Sequence, residues 1–202
     1  NRREEDLVSE MFVCSTHDYV LFFSNRGRVY RLKGYEIPEA SRTSRGTNIV
    51  NLLPLEADEK ITSMIRISAF NEDEYLVMVT RRGTIKRTEL SDYNTARKGG
   101  IIAIVLDEGD ELSWVRHTHG NDNLIVATRD GMSIRFDEQE VRQMGRVAHG
   151  VRAIRLGEGD EVIGMARARE GATLLTVTER GQGRRTPLSD YRIQSRGGKG
   201  IV

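Results

Sequence analysis

One nine-residue stretch, Thr80-Arg81-Arg82-Gly83-Thr84-Ile85-Lys86-Arg87-Thr88, constrains the fold more than any other, because the chain repeats it. Its other versions are Ser24-Asn25-Arg26-Gly27-Arg28-Val29-Tyr30-Arg31, Thr128-Arg129-Asp130-Gly131-Met132-Ser133-Ile134-Arg135 and Thr178-Glu179-Arg180-Gly181-Gln182-Gly183-Arg184-Arg185. The anchoring glycines recur at roughly 50-residue intervals, a period typical of repeat architectures. An apolar run precedes each copy: Tyr19–Phe23, Tyr75–Val79, Asn123–Ala127 and Thr173–Val177. A polar residue, two others and a glycine between two strand-like runs form a hairpin turn, in which glycine takes the positive φ that other residues resist. Four residues past every such glycine stands an arginine: Arg31, Arg87, Arg135 or Arg185.

The rest of each unit follows one order. After the hairpin come a polar loop, a third apolar run, an acidic turn and a fourth run. The third runs are Ile49–Leu53, Ile101–Leu106 and Val151–Leu156, and the fourth are Ile61–Ile67, Leu112–Thr118 and Val162–Ala168. This predicts an all-β chain of four-stranded repeats of about 50 residues, arranged radially as in propellers. Its expected divisions are 1–13 (the closing strand of an upstream unit), 14–67, 68–118, 119–168 and a partial unit at 169–202. The chain opens at Asn1-Arg2-Arg3-Glu4 without methionine, and we read it as a piece of something longer, incomplete at both ends. Only Glu138–Met144 has a helical look, and a weak one. No WD pair follows the usual propeller signature, since Trp114 precedes Val115.

One cysteine, Cys14, excludes an internal disulfide framework and suits a reducing, cytoplasmic setting. No apolar run nears the ~18 residues of a membrane-spanning helix. The formal net charge of +1 conceals sorting, because the hairpins are basic while Glu56–Glu59, Asp107–Glu111 and Glu158–Glu161 are acidic knots. Recurrence at one phase of the repeat predicts a basic band on one region of the fold and acid on another. The third hairpin, with Asp130 beside its turn glycine, should contribute least to that band.

The polar loops read Arg42-Thr43-Ser44-Arg45-Gly46, Arg97-Lys98-Gly99-Gly100, Arg146-Val147-Ala148-His149-Gly150 and Gln194-Ser195-Arg196-Gly197-Gly198-Lys199-Gly200. Glycine lets a backbone approach phosphate, and arginine or lysine neutralises it without reading bases. One such loop would be an ordinary solvated turn, but four in phase with four basic hairpins point to duplex DNA. The candidate contacts are Arg26, Arg28, Arg31 and Lys33; Arg81, Arg82, Lys86 and Arg87; Arg129 and Arg135; and Arg180, Arg184 and Arg185. The loops add Arg42, Arg45, Arg97, Lys98 and Arg146, with Gln194, Arg196, Gly197, Gly198, Lys199 and Gly200 from the last.

A family resemblance is carried by Gly27-Arg28-Val29-Tyr30, Ile37-Pro38-Glu39-Ala40, Ile49–Glu56, Gly150-Val151-Arg152 and Leu156-Gly157-Glu158-Gly159-Asp160. Along essentially its whole length the chain resembles the C-terminal domain of DNA gyrase A. The resemblance implies a β-pinwheel, a propeller-like ring, commonly of six blades, that exchange strands with their neighbours. It also implies a basic rim that wraps DNA and lets the holoenzyme introduce negative supercoils with ATP. The implied partners are double-stranded DNA, gyrase B and the rest of gyrase A. ATP and magnesium would belong to other parts of the holoenzyme, with no cofactor here, and the implied location is the cytoplasm, at the nucleoid. The family's signature box, Gln-Arg-Arg-Gly-Gly-Lys/Arg-Gly, is echoed at 194–200 with Ser195 in place of the first arginine. The full box is expected upstream of Asn1, and a chain without it should bind DNA but trap little writhe.

Nothing matches the family's cleavage tyrosine or metal-binding acids, so the chain is expected to be non-catalytic. Tyr19, Tyr30, Tyr35, Tyr75, Tyr93 and Tyr191 read as packing residues. His117-Thr118-His119 would put two imidazoles on one strand face, but without a cysteine or third histidine nearby no metal is expected. The equivalent domain of topoisomerase IV is the nearest alternative. A propeller scaffold that docks protein partners on its acidic turns is another, and a small-molecule enzyme would need an acid or histidine cluster that the sequence does not assemble.

Overall fold

The apolar run Tyr19-Val20-Leu21-Phe22-Phe23-Ser24 is buried on both faces, and the way its residues divide explains the whole arrangement. In the computed structural model, which describes residues 15–37, 50–95, 97, 99–168, 173–177, 183–187 and 192–202, it forms β1. Successive side chains of a strand point to opposite faces. Val20 and Phe22 accordingly enter one core with Tyr30, Leu32, Ile37, Leu53 and Ile61, while Leu21 and Phe23 enter a second. That second core also takes Leu76 and Met78 from β4 (Tyr75–Thr80), whose Val77 and Val79 enter a third with Leu124 and Val126 of β8 (Asn123–Thr128). β1 and β4 thus each divide their side chains between two interfaces, so the first three sheets stack face to face along the chain.

In the first sheet β1 pairs antiparallel with β2 (Arg28–Lys33) and β3 (Ile61–Ile67). The second sheet repeats this with β4, β5 (Thr84–Glu89) and β7 (Leu112–Thr118). The third has β8, β9 (Ser133–Asp137) and β11 (Val162–Ala168), and the fourth the hairpin β12 (Thr173–Val177) and β13 (Gly183–Pro187).

The fourth strand of a sheet comes from the next unit. β6 (Ile101–Ile102) pairs with β2, and β10 (Val151–Arg152) pairs with β5. Ser133 of β9 likewise bridges Ile201. This is the strand exchange that the family resemblance implied. The runs expected as third strands of their own units, Ile101–Leu106 and Val151–Leu156, are therefore two-residue strands on the preceding sheet. They stop short because the Ala103 and Ile104 amides turn onto the Gly27 carbonyl, and the Ala153 amide onto that of Gly83. Val50–Leu52, expected as strand, is a 3-10 turn; Ile49 lies outside the described residues. Within Glu138–Met144 only Glu138–Glu140 is helical, as one 3-10 turn, and Leu90–Tyr93 forms another.

The repeated hairpin owes its signature to its first polar residue. Ser24, Thr80 and Thr128 are buried at the strand end, and their hydroxyls accept the amides of Arg28, Thr84 and Met132 just past each glycine. At the same position each central strand slips register against its outer partner. Gly27 and Gly83 take φ of 74° and 87°, and a Cβ on Gly27 would stand 2.6 Å from the Ile104 carbonyl of the exchanged segment. Glycine serves the turn and the exchange together.

Candidate nucleic-acid interface

Hairpin tips and acidic turns meet, contrary to the expected separation of charge. The tip amides of Asn25, Arg81 and Arg129 donate to the carbonyls of Lys60, Glu111 and Glu161, which brings each acidic turn beside its own hairpin. Arg26 consequently pairs with Glu56 at 3.7 Å and with Asp58, and Arg28 reaches Glu56 at 3.8 Å. Arg81 pairs with Glu111 and Glu161, and Arg129 with Glu161 and with the Gly159 carbonyl. The Arg82 and Asp130 amides donate to Asp110 and Asp160 at 3.0 Å each. Exposed pairs of this kind contribute at most about 1 kcal/mol to stability, but they neutralise the tips. Among the described residues, acid and base therefore meet at the tips of the first three hairpins instead of lying in separate regions.

Lys86 and Arg87, three and four residues past the turn glycine of the second unit, are expected as DNA contacts, but both are buried. Lys86 is fully buried, donating through Nζ to the carbonyls of Ala103 and Arg146. Burial, aided by the charge of Arg146, pushes its ammonium down to about 7. Tyr30 occupies the equivalent place in the first unit and donates to the buried Glu59 carboxylate at 2.5 Å; burial and that neighbour push its hydroxyl up to about 12. Burial opposes the charge on Glu59, but hydrogen bonds from the Ser24 and Tyr30 hydroxyls hold its carboxyl below the usual range.

Arg87, on the opposite face, stacks over Tyr75, donates Nε to the Val141 carbonyl at 2.8 Å and pairs with Glu138 of the next unit at 3.7 Å. Its side chain is 7% exposed. Burial raises the Glu138 carboxyl despite hydrogen bonds from the Asp122 amide and the Thr118 hydroxyl. Arg31 sits over Tyr19 and donates to Asn94 of the next unit at 3.4 Å, and Lys33 lies over the rings of Tyr19 and Tyr35. Arg135 is half-buried. Arg87 is thus a latch between units, and Arg31 makes a weaker contact of the same kind. The packing role expected of the tyrosines holds for Tyr30 and Tyr93 but not for Tyr35, which is 61% exposed.

The loops leading into the exchanged strands behave differently. Arg146 donates Nη1 to the Ile102 carbonyl at 2.5 Å, and Arg196 donates Nη1 to the Arg152 carbonyl at 2.6 Å, the same contact over 44 residues in successive units. Arg196 also uses Nε on the Glu140 carbonyl. A guanidinium carries five N–H donors, so each of these arginines keeps donors for a phosphate while its stem is fixed. Arg97 and Lys199 are exposed. The closing glycine of each loop serves packing: a Cβ on Gly100 would meet the Tyr30 ring at 2.7 Å, one on Gly150 the Ile85 carbonyl at 2.6 Å, and one on Gly200 the Ser133 carbonyl. Gly99 and Gly198 face no such constraint. Gln194 is held by its amide on the Arg135 carbonyl, and the Gly197 amide donates to Ala153. Arg42, Arg45, Lys98, Arg180 and the side chains of Arg184 and Arg185 lie outside the described residues.

The sequence reading missed four exposed arginines: Arg142, Arg152 and Arg155 around β10, and Arg192 before the last loop. The signal that finds them is the absence of acid. Apart from Tyr93's own neighbour Asp92, which precedes them, the segments 93–106, 141–156 and 192–202 contain no Asp or Glu, although the chain has 30. These segments belong to the second, third and fourth units, and their cations have no carboxylate on the same segment to offset them.

The family described as DNA gyrase C-terminal domain, beta-propeller, matches residues 18–68, 74–119, 122–169 and 172–202. DNA gyrase A from Staphylococcus aureus strains NCTC 8325 and COL is 50% identical over the whole of this chain, which spans 23% of those proteins. Among solved structures, the C-terminal domain of DNA topoisomerase IV aligns over 93% of this chain and 58% of its own, with a TM-score of 0.83 and 30% identity. The DNA gyrase A C-terminal domain aligns over 93% and 60%, with a TM-score of 0.77 and 30% identity. The four matched segments and the exchange of strands between sheets lead to one conclusion: this chain belongs to the DNA gyrase C-terminal domain family.

Proposed function

We propose that this chain binds duplex DNA without sequence preference and bends it along the acid-free segments, as the wrapping part of a DNA gyrase A protein. The observation that carries this reading is the in-phase pair Arg146–Ile102 and Arg196–Arg152, which sets a fixed, donor-rich cation at the same place in successive units. Arg97, Arg142, Arg152, Arg155, Arg192 and Lys199 extend the same track. Such cations position a phosphate backbone and carry no base information. In the parent enzyme the bound segment would support ATP-dependent negative supercoiling. DNA cleavage, ATP hydrolysis and magnesium would be supplied by the rest of gyrase A and by gyrase B, in the cytoplasm at the nucleoid. The near-equal structural likeness to topoisomerase IV keeps that enzyme's equivalent domain as the second reading.

A salt-titrated binding assay on mixed-sequence duplex tests the proposal. With about six phosphates neutralised, log affinity should fall against log salt with a slope near −5, at roughly −0.9 per contact. A slope near zero, or a strong preference for one sequence, overturns it.

A further inference from the structure

The second unit carries a cluster that the cation track does not use. Tyr75 of β4 pairs with Thr118 of β7, so Glu74, just before β4, stands opposite His119, just after β7. Thr118 points into the fold and is fully buried, which turns His117 and His119 out on one face, their rings stacked 5.0 Å apart. Glu74 Oε1 lies 3.5 Å from His117 Nε2 and 3.4 Å from His119 Nε2, and the three ligand atoms all fall within 4.8 Å of one another. Two ligands at 2.0–2.1 Å from a tetrahedral zinc stand about 3.4 Å apart, so both carboxylate–imidazole separations already match edges of that polyhedron. From this geometry we infer that Glu74, His117 and His119 form a binding site for a divalent transition metal of the zinc type.

Other features of the cluster fit a metal better than a simple ion pair. His117 Nε2 is buried without a hydrogen-bond partner, 3.5 Å from Glu74 Oε1. The nearby cations are occupied: Arg167 donates to the His117 carbonyl at 2.7 Å and reaches Asp122 at 4.0 Å, and Arg66 reaches Asp18 at 3.9 Å. Asp122 also accepts the His119 amide, fixing the turn that presents the second imidazole. His119 is half exposed beside a cavity of about 480 Å³, so a fourth position is open to water. Two imidazoles and one carboxylate suit Zn²⁺, Co²⁺ or Ni²⁺, whereas Mg²⁺ and Ca²⁺ prefer all-oxygen shells. A bound ion would clip the start of β4 to the end of β7 and add stability by mass action.

Calorimetric titration of the chain with ZnCl₂ alone, with MgCl₂ as control, tests the site. One saturable Zn²⁺ site is expected, with no Mg²⁺ binding, and His119→Ala and Glu74→Ala should each weaken Zn²⁺ at least tenfold. His149→Ala, which removes an imidazole elsewhere, should leave the titration unchanged. The Co²⁺-loaded chain should show the visible absorption of a low-coordinate site, and His117→Ala should abolish it. His119 is exposed enough for its replacement to leave the fold intact, so that variant remains informative even if His117→Ala fails to fold. Unsaturable uptake, or Zn²⁺ affinity unchanged in the His119→Ala variant, overturns the proposal.

Discussion

Arg87 shows how a cation that looks like a DNA contact can be a structural one. Its place four residues past the turn glycine says only that it faces away from Lys86, not what covers the face it occupies. The cover is Glu138 and Val141, about 50 residues further on and in another unit. Removing one partner of a buried pair leaves the other charge uncompensated, so Arg87→Ala should cost about 3 kcal/mol or more in urea unfolding. The salt slope of DNA binding by the folded variant should not change; a slope shallower by about 1 would make Arg87 a phosphate contact after all. Lys86 yields a pH signature. Its folded pKa of about 7 lies below its ordinary 10.5, so between those values the unfolded chain binds the extra proton. Stability should therefore rise with pH from about 7 upward, by at most about 1.4 kcal/mol per unit, and be insensitive to this group at lower pH. In Lys86→Met the rise between pH 7 and 9 in urea midpoints should flatten; the Ala103 carbonyl would still accept the Tyr93 hydroxyl at 3.2 Å.

At the scale of the element, the hairpins were legible because their cause is local. A serine or threonine hydroxyl, two residues and a positive-φ glycine make the turn wherever they occur, and alternating apolar residues supply the strands. The exchanged strands were not legible in the same way, and Ile101–Leu106 shows why. Its apolar pattern predicts a buried strand but cannot say that the Ala103 amide will leave the ladder for the Gly27 carbonyl of the preceding unit. The loop glycines mislead for a related reason, since a glycine needed against a neighbouring backbone looks the same as one that admits a phosphate. Gly150→Ala separates the two uses. At φ 102° with the Ile85 carbonyl 2.6 Å from the new Cβ, the substitution should cost about 1–3 kcal/mol and loosen β10 from β5, seen as faster amide exchange at Ala153. Gly99→Ala meets nothing within 4 Å, so its unfolding midpoint should hold while any loss falls on DNA affinity.

Across the whole molecule, charge is sorted by unit phase, though not as hairpin against turn. Acidic turns cover the hairpin tips, and the segments without acid run from one sheet onto the edge of the one before. A cation on such a segment is fixed by the exchange itself, as Arg146 and Arg196 are, so a duplex following the track meets charges already in place and loses little entropy ordering them. Position along the track should then matter more than the number of arginines in a unit. Arg155→Glu, on the track, should shift the salt slope by about 1, whereas Arg129→Glu, at a tip already facing Glu161, should shift it by much less. The strongest check uses duplex length. Arg97 and Arg155 belong to the second and third units, so on a duplex long enough to touch both their alanine variants should add in log affinity, as separated sites do. On a duplex too short to span two units, binding shifts to whichever unit keeps its cation, and each single variant should lose little while the double loses much. Equal single losses at every length would mean that DNA contacts one patch and not a track, and the wrapping reading would fail with it.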